Sequence, residues 1–201
     1  MNNIIMKFDY CDISNISDNE YMKFYDLMNN KRQDDVKKYY RTNDKKCTIA
    51  GEMLVKKIIN KFWNIKLEEI KIDTSTNNKP YIVDYDIKFN ISHCDNIVVC
   101  VVSNKLVGID IEKIRPVNLS MVKKFCNEKE IKYIFNHIPL PKELVYTNDK
   151  NILTRFFEVW TSKEAYIKCE NIKLSNIKEV HLENIKSFKL LNDFIVSIYM
   201  K

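Results

Sequence analysis

Between Ile49 and Trp63, apolar residues fall at positions 50, 54, 58 and 62, flanked by 55, 59 and 63. That spacing predicts a well-packed amphipathic helix over the stretch. Ahead of it, Ile4 to Tyr10 reads as an opening strand, followed by polar helical sequence from about Asp18 to Tyr40. A polar stretch from Asp73 to Lys79 ends at Pro80, and a proline disfavours helix in the residue before it. Runs rich in valine and isoleucine then predict strands at 88–92, 97–102 and 106–111. The second half repeats the order, with helices near 119–137 and 152–169 and strands near 177–182, 186–191 and 194–199. Between those helices, Pro139, Pro141 and the polar stretch 147–151 mark a loop. No residue-level repeat is visible, but the halves match in length and element order. The expectation is an α+β pseudo-dimer of two similar α/β subdomains, 1–104 and 105–201, with a cleft between them.

Composition supports a folded core. The chain has 201 residues, 45% of them apolar, with eleven tyrosines and ten phenylalanines. Six cysteines, at 11, 47, 94, 100, 126 and 169, form no C-x-x-C pair. With no signal-like N-terminus, they read as reduced thiols of a cytoplasmic protein. Apolar runs such as Ile97 to Val102 are far too short to span a bilayer, so no membrane partner is expected. Charge adds less. A net +6 comes from 33 basic and 27 acidic residues, with Lys31, Arg32, Lys37, Lys38, Arg41, Lys45 and Lys46 clustered early. The cluster suits either a solvated helix face or an anionic partner. No helix-turn-helix, zinc finger or aromatic RNA-binding motif makes nucleic acid the better choice.

Val107-Gly108-Ile109-Asp110-Ile111-Glu112 concentrates the chemistry. The chain has only two glycines, and Gly108 precedes two carboxylates in an apolar run, where it lets the backbone turn or a ligand approach closely. In a strand, Asp110 and Glu112 share one face. Two acids side by side repel and lose hydration, so they call for a cation. Their hard oxygens suit Mg²⁺ or Mn²⁺; the plainer alternative is a solvated edge strand. Further on, Trp160, Glu164 and Lys168 lie at i, i+4 and i+8 on one helical stripe. Lys163 sits about 100° away, turned toward a different phosphate. A surface Glu–Lys pair is the plainer alternative there. Phe89-Asn90-Ile91-Ser92-His93 ends a strand in a hydroxyl and an imidazole that can both donate to an anion. Lys79, before Pro80, puts a lysine on a stiffened turn. No G-x-S-x-G elbow points to a hydrolase, and His137 and His181 read as structural.

In this order the motifs resemble those of the Sfp-type 4′-phosphopantetheinyl transferase family. The resemblance rests on Asn78-Lys79-Pro80, Phe89 to Cys94, Gly108 to Glu112 and Trp160 to Lys168, with Phe125 to Glu130 fitting a further F-x-x-x-E-type helix near the site. It implies transfer of phosphopantetheine from coenzyme A to a serine of an apo acyl or peptidyl carrier protein, releasing 3′,5′-ADP. By the same resemblance, Asp110, Glu112 and Glu164 bind Mg²⁺ or Mn²⁺, and Glu164 helps deprotonate the serine. Lys168 holds a phosphate, Ser92 and His93 bind coenzyme A phosphates, and Lys79 lies along the nucleotide. The chain departs from the pattern at Asn78, Cys94 and Cys47. Cys47 stands where the family has an arginine for the 3′-phosphate, with Lys46, Lys45 or Arg41 as substitutes. Having both halves in one chain implies a monomer. Two alternatives are a non-catalytic coenzyme A or carrier-binding module and a basic nucleic-acid-binding protein.

Overall fold

Two compact units divide the chain between Val107 and Gly108. The computed structural model describes residues 4–77, 79–139, 146–173, 177–178, 180 and 185–201. In the first unit, β1 (Met6–Asp12) leads to α1 (Asp18–Asp26), α2 (Asn30–Lys38) and α3 (Thr42–Trp63). The polar stretch expected to be helical to Tyr40 is thus two helices. Ser17 and Glu20 form a capping box at the start of α1, and the Asn29 side chain accepts from Arg32 N to start α2. Each cap satisfies backbone donors that a continuous helix would bond internally.

A ribbon of β2 (Ile72–Thr74) and β3 (Pro80–Ile82) precedes β4 (Lys88–Cys94) and β5 (Ile97–Ser103). The main sheet has the order β1-β5-β4, and β5 runs antiparallel to both neighbours, with Ile97 opposite Asp12 and Cys94. Every residue of β5 is buried, which explains its unbroken apolar run. Helix α3 lies on this sheet and joins Val55, Ile58 and Ile59 to Phe89, Val98, Cys100 and Val102 in one core. The contact is close at Gly51, where a Cβ would come within 2.8 Å of Ile91 Cγ2.

The second unit follows the same plan. β6 (Val107–Lys113) begins it, followed by β7 (Val117–Asn118), α4 (Leu119–Phe125), α5 (Glu128–Ile134), β8 (Tyr146–Thr147) and α6 (Lys150–Glu170). Then come β9 (Ile185–Leu190) and β10 (Phe194–Met200), giving a sheet of order β6-β10-β9 and a β7-β8 ribbon. Of the strand expected at 177–182, only 177, 178 and 180 are among the described residues, and 177 and 178 lie in a helical turn. Helix α6 packs on β10, with Phe156, Phe157 and Val159 joining Ile195, Ile134 and Phe135 in a core. The interface also holds a run of hydroxyls. Thr161 Oγ1 donates to Phe157 O and lies 2.6 Å from Ser197 Oγ, which is 2.7 Å from Ser187 Oγ. Each buried hydroxyl therefore has a partner, as burial demands. Among the described residues, no helix is long and apolar enough to cross a membrane, and all six cysteines are free thiols.

Candidate active site

The second glycine fixes how β6 meets α6. A Cβ on Gly108 would stand 1.9 Å from the Ala165 carbonyl oxygen and 2.8 Å from Cys169 N. Its φ is not positive, so no turn requires it, and the group pressed against it is helix backbone. Only glycine lets the strand approach α6 so closely. Alternation along β6 sends Asp110 and Glu112 to the face of Gly108, while Ile109 and Ile111 are buried in the opposite direction. On α6, Glu164 and Lys168 stand one turn apart on a single stripe.

Asp110 and Lys168 meet directly, and Glu112 and Glu164 lie close enough to act through their charge. Lys168 Nζ donates to Asp110 Oδ1 at 2.6 Å, with Asp110 buried and Lys168 31% exposed. Glu112, half-buried, accepts from Arg115 Nη1 at 2.8 Å. The Glu164 carboxyl is held above its ordinary range, first by burial and then by Asp110, with a further push from Glu112 and relief from Lys168. The three acids therefore lie within one another's field, and burial strengthens the repulsion. Among the described residues, however, no three His, Cys, Asp or Glu side chains stand close enough to hold an ion as placed. Two of the three acids instead face internal cations. Arg115 was not singled out from the sequence. Its signal was its place three residues after Glu112 and directly before Pro116, which restricts its backbone to extended conformations.

Lys163 takes a different place from the one expected. Its side chain is 1% exposed, and its Nζ lies 2.7 Å from Glu130 Oε2 and 2.9 Å from the Phe125 carbonyl oxygen. Glu130 also accepts from Asn127 N, closing the capping box of α5. A lysine enclosed in this way ties α6 to the α4–α5 junction, so the second phosphate contact is redirected to a structural ion pair. Trp160 lies edge-on to Phe125, with ring centroids 5.1 Å apart.

The remaining expected residues belong to the first unit. Ser92 is buried and His93 exposed at the end of β4. The turn that follows holds α3, because Asn43 Nδ2 donates to the Asp95 carbonyl oxygen at 3.1 Å. Lys46 reaches Asp18 Oδ1 at 3.3 Å and lies 4.8 Å from the Tyr21 ring centroid. Cys47 is fully buried inside the first turns of α3, and burial followed by Asp44 pushes its thiol up to about 11. It packs as a small apolar residue. Because α3 begins at Thr42, the residue just before the helix is Arg41, at the N-cap and exposed. Lys79 closes a tight loop, with Ser75 N donating to its carbonyl at 2.9 Å. It borders a cavity of about 270 Å³ with Tyr81, Tyr85 and Lys88. Asn78 lies outside the described residues.

Comparison with known proteins covers nearly the whole chain. A family model described as 4′-phosphopantetheinyl transferase, N-terminal, matches residues 15–105, and a model of the 4′-phosphopantetheinyl transferase superfamily matches residues 106–198. The chain is 38% identical over 131 residues to 4′-phosphopantetheinyl transferase gsp of Aneurinibacillus migulanus, covering 65% of this chain and 51% of the relative. Against 4′-phosphopantetheinyl transferase Sfp of Bacillus subtilis it is 29% identical over 161 residues, 80% of this chain and 67% of the relative. Against psf-1 of Bacillus pumilus the figures are 32% over 126 residues, 62% and 50%. The matches thus span one half to two thirds of these relatives' lengths.

Proposed function

The chain belongs to the Sfp-type 4′-phosphopantetheinyl transferase family, and from this premise we propose that it moves the 4′-phosphopantetheine of coenzyme A onto a serine hydroxyl of an apo acyl or peptidyl carrier protein, releasing 3′,5′-ADP. The observation that carries the reading is the group of Asp110, Glu112, Glu164 and Lys168 around the Gly108–Ala165 approach. Their chemistry fits a hard divalent cation. The donors are carboxylate oxygens, and burial, then Asp110, lifts the Glu164 carboxyl. Asp110, Glu112 and Glu164 would hold Mg²⁺ or Mn²⁺, which when bound supplies charge neutralisation for the pyrophosphate.

The chain's own groups supply the rest. Lys168, partly exposed beside Asp110, neutralises a phosphate oxygen as negative charge shifts onto the leaving nucleotide. Glu164 in its ionised form accepts the serine proton, directly or through water. In the first unit, Ser92 and His93 donate to coenzyme A phosphates, and Lys79 and Lys46 are lysine contacts for the nucleotide. Lys163 orients α6 through Glu130 and does not touch phosphate.

The test is intact-mass spectrometry of several apo carriers incubated with the protein, coenzyme A and Mg²⁺. The expected result is a carrier heavier by one phosphopantetheine, with the gain abolished by chelation of the metal. A folded protein that modifies no carrier in the panel would contradict the reading.

A further inference from the structure

Arg115 is placed to do more than decorate the surface. Its Nη1 lies 2.8 Å from Glu112 Oε2 and 3.2 Å from the Lys113 carbonyl oxygen. Its guanidinium carbon stands 5.3 Å from the Phe157 ring centroid, close enough for a cation–π contact. Pro116 stiffens the backbone on its C-terminal side. The side chain is nevertheless 53% exposed, and Glu112 and Arg115 both border a cavity of about 290 Å³ with Met121 and Trp160. The ion pair therefore sits beside open space, and Arg115 can leave Glu112 without unpacking the core.

Glu112 lies near Asp110 and Glu164 in the same cluster of acids, and Lys168 already stands on Asp110. Each of the two strand acids thus has an internal cation. An ion that takes Glu112 Oε2 competes with the guanidinium, because an oxygen engaged by Arg has fewer lone pairs to offer. We propose that Arg115 is a built-in counter-ion for Glu112, which holds this carboxylate in place when no metal is bound and sets the metal affinity of the site by competing for it. The proposal rests on the reading of Asp110, Glu112 and Glu164 as the metal site.

Competition of this kind divides the intrinsic metal affinity by the extent of pairing. An exposed Arg–carboxylate pair is favoured over its open form by a small factor, so removing Arg115 should tighten binding by about two- to sixfold. The same loss of charge would also tighten binding without any direct contact. Lys113, one residue after Glu112 and 5.8 Å from the Phe194 ring centroid, controls for that.

The experiment measures Mn²⁺ binding directly, by loss of the free-ion paramagnetic signal, in the whole chain without coenzyme A. It compares the wild type with R115Q, K113Q and D110N. The expected result is tighter Mn²⁺ binding in R115Q by the stated factor, a smaller change in K113Q, and loss of the site in D110N. If R115Q binds no more tightly than K113Q while D110N loses the ion, Arg115 is not a competitor and the proposal fails with the metal site intact. If D110N binds Mn²⁺ like the wild type, the metal reading fails and the proposal with it.

Discussion

Lys163 Nζ lies 2.7 Å from Glu130 Oε2 with both side chains buried, one residue before Glu164. The pair joins α6 to α5, and the Phe125 carbonyl adds a second tie. Breaking a buried pair leaves an uncompensated charge, which costs about 3–5 kcal/mol. Lys163→Met and Glu130→Gln should each lower stability by this order. The double variant should regain much of the loss, because no charge is then stranded. Urea unfolding of the four proteins measures the cycle, and additive losses would contradict the pairing.

Gly108→Ala tests the approach of strand to helix. The added Cβ meets helix backbone at 1.9 Å, which no rotamer can relieve. Strand and helix must separate, and Asp110 moves away from Lys168. The expected loss is about 3 kcal/mol, the upper part of the usual overpacking range, together with weaker metal binding. Unchanged urea midpoints in this variant would show that β6 does not need the glycine.

Glu164 predicts a pH dependence. Its carboxyl is raised above the ordinary 4.5, chiefly by burial and then by Asp110. The native state therefore keeps this proton to higher pH than the unfolded chain. Below 4.5 the fold bears no penalty from this group; as pH rises through the raised value, the penalty develops and stability falls. Relative to Glu164→Gln, the wild type should lose stability with rising pH across this window, and Mg²⁺ should restore it on the alkaline side. Urea midpoints at several pH values, with and without Mg²⁺, provide the check. A difference that stays flat with pH would contradict the assignment.

Cys47 is buried with its thiol pushed up to about 11, so it is neutral and enclosed at pH near 7. In the native protein it should resist alkylation by N-ethylmaleimide until unfolding exposes it, as peptide mapping would show. Cys47→Ala should retain coenzyme A affinity, because the thiol reaches no solvent. Rapid native labelling of Cys47 would contradict the packing.

Much of the site was legible because it is local. Alternation alone places Asp110 and Glu112 on one face, and helical spacing alone stacks Glu164 with Lys168. What was not legible depends on partners distant in sequence. The role of Lys163 turns on Glu130, and the need for Gly108 turns on the Ala165 carbonyl. The same limit shaped the fold. The stripe from Ile49 located α3 but not its start at Thr42, because the first turns are polar and held by Asp95 across the unit. The β2-β3 and β7-β8 ribbons have strands of three and two residues, too short to show any period.

The central claim is that Asp110 and Glu164 form one site where β6 crosses α6. The most direct test is single-turnover transfer from coenzyme A to an apo carrier that the wild type modifies, run with Asp110→Ala and Glu164→Gln and read by intact mass. Both variants should keep their circular dichroism spectra and yield no modified carrier on the time scale of the wild type. Wild-type transfer by either variant would contradict the account.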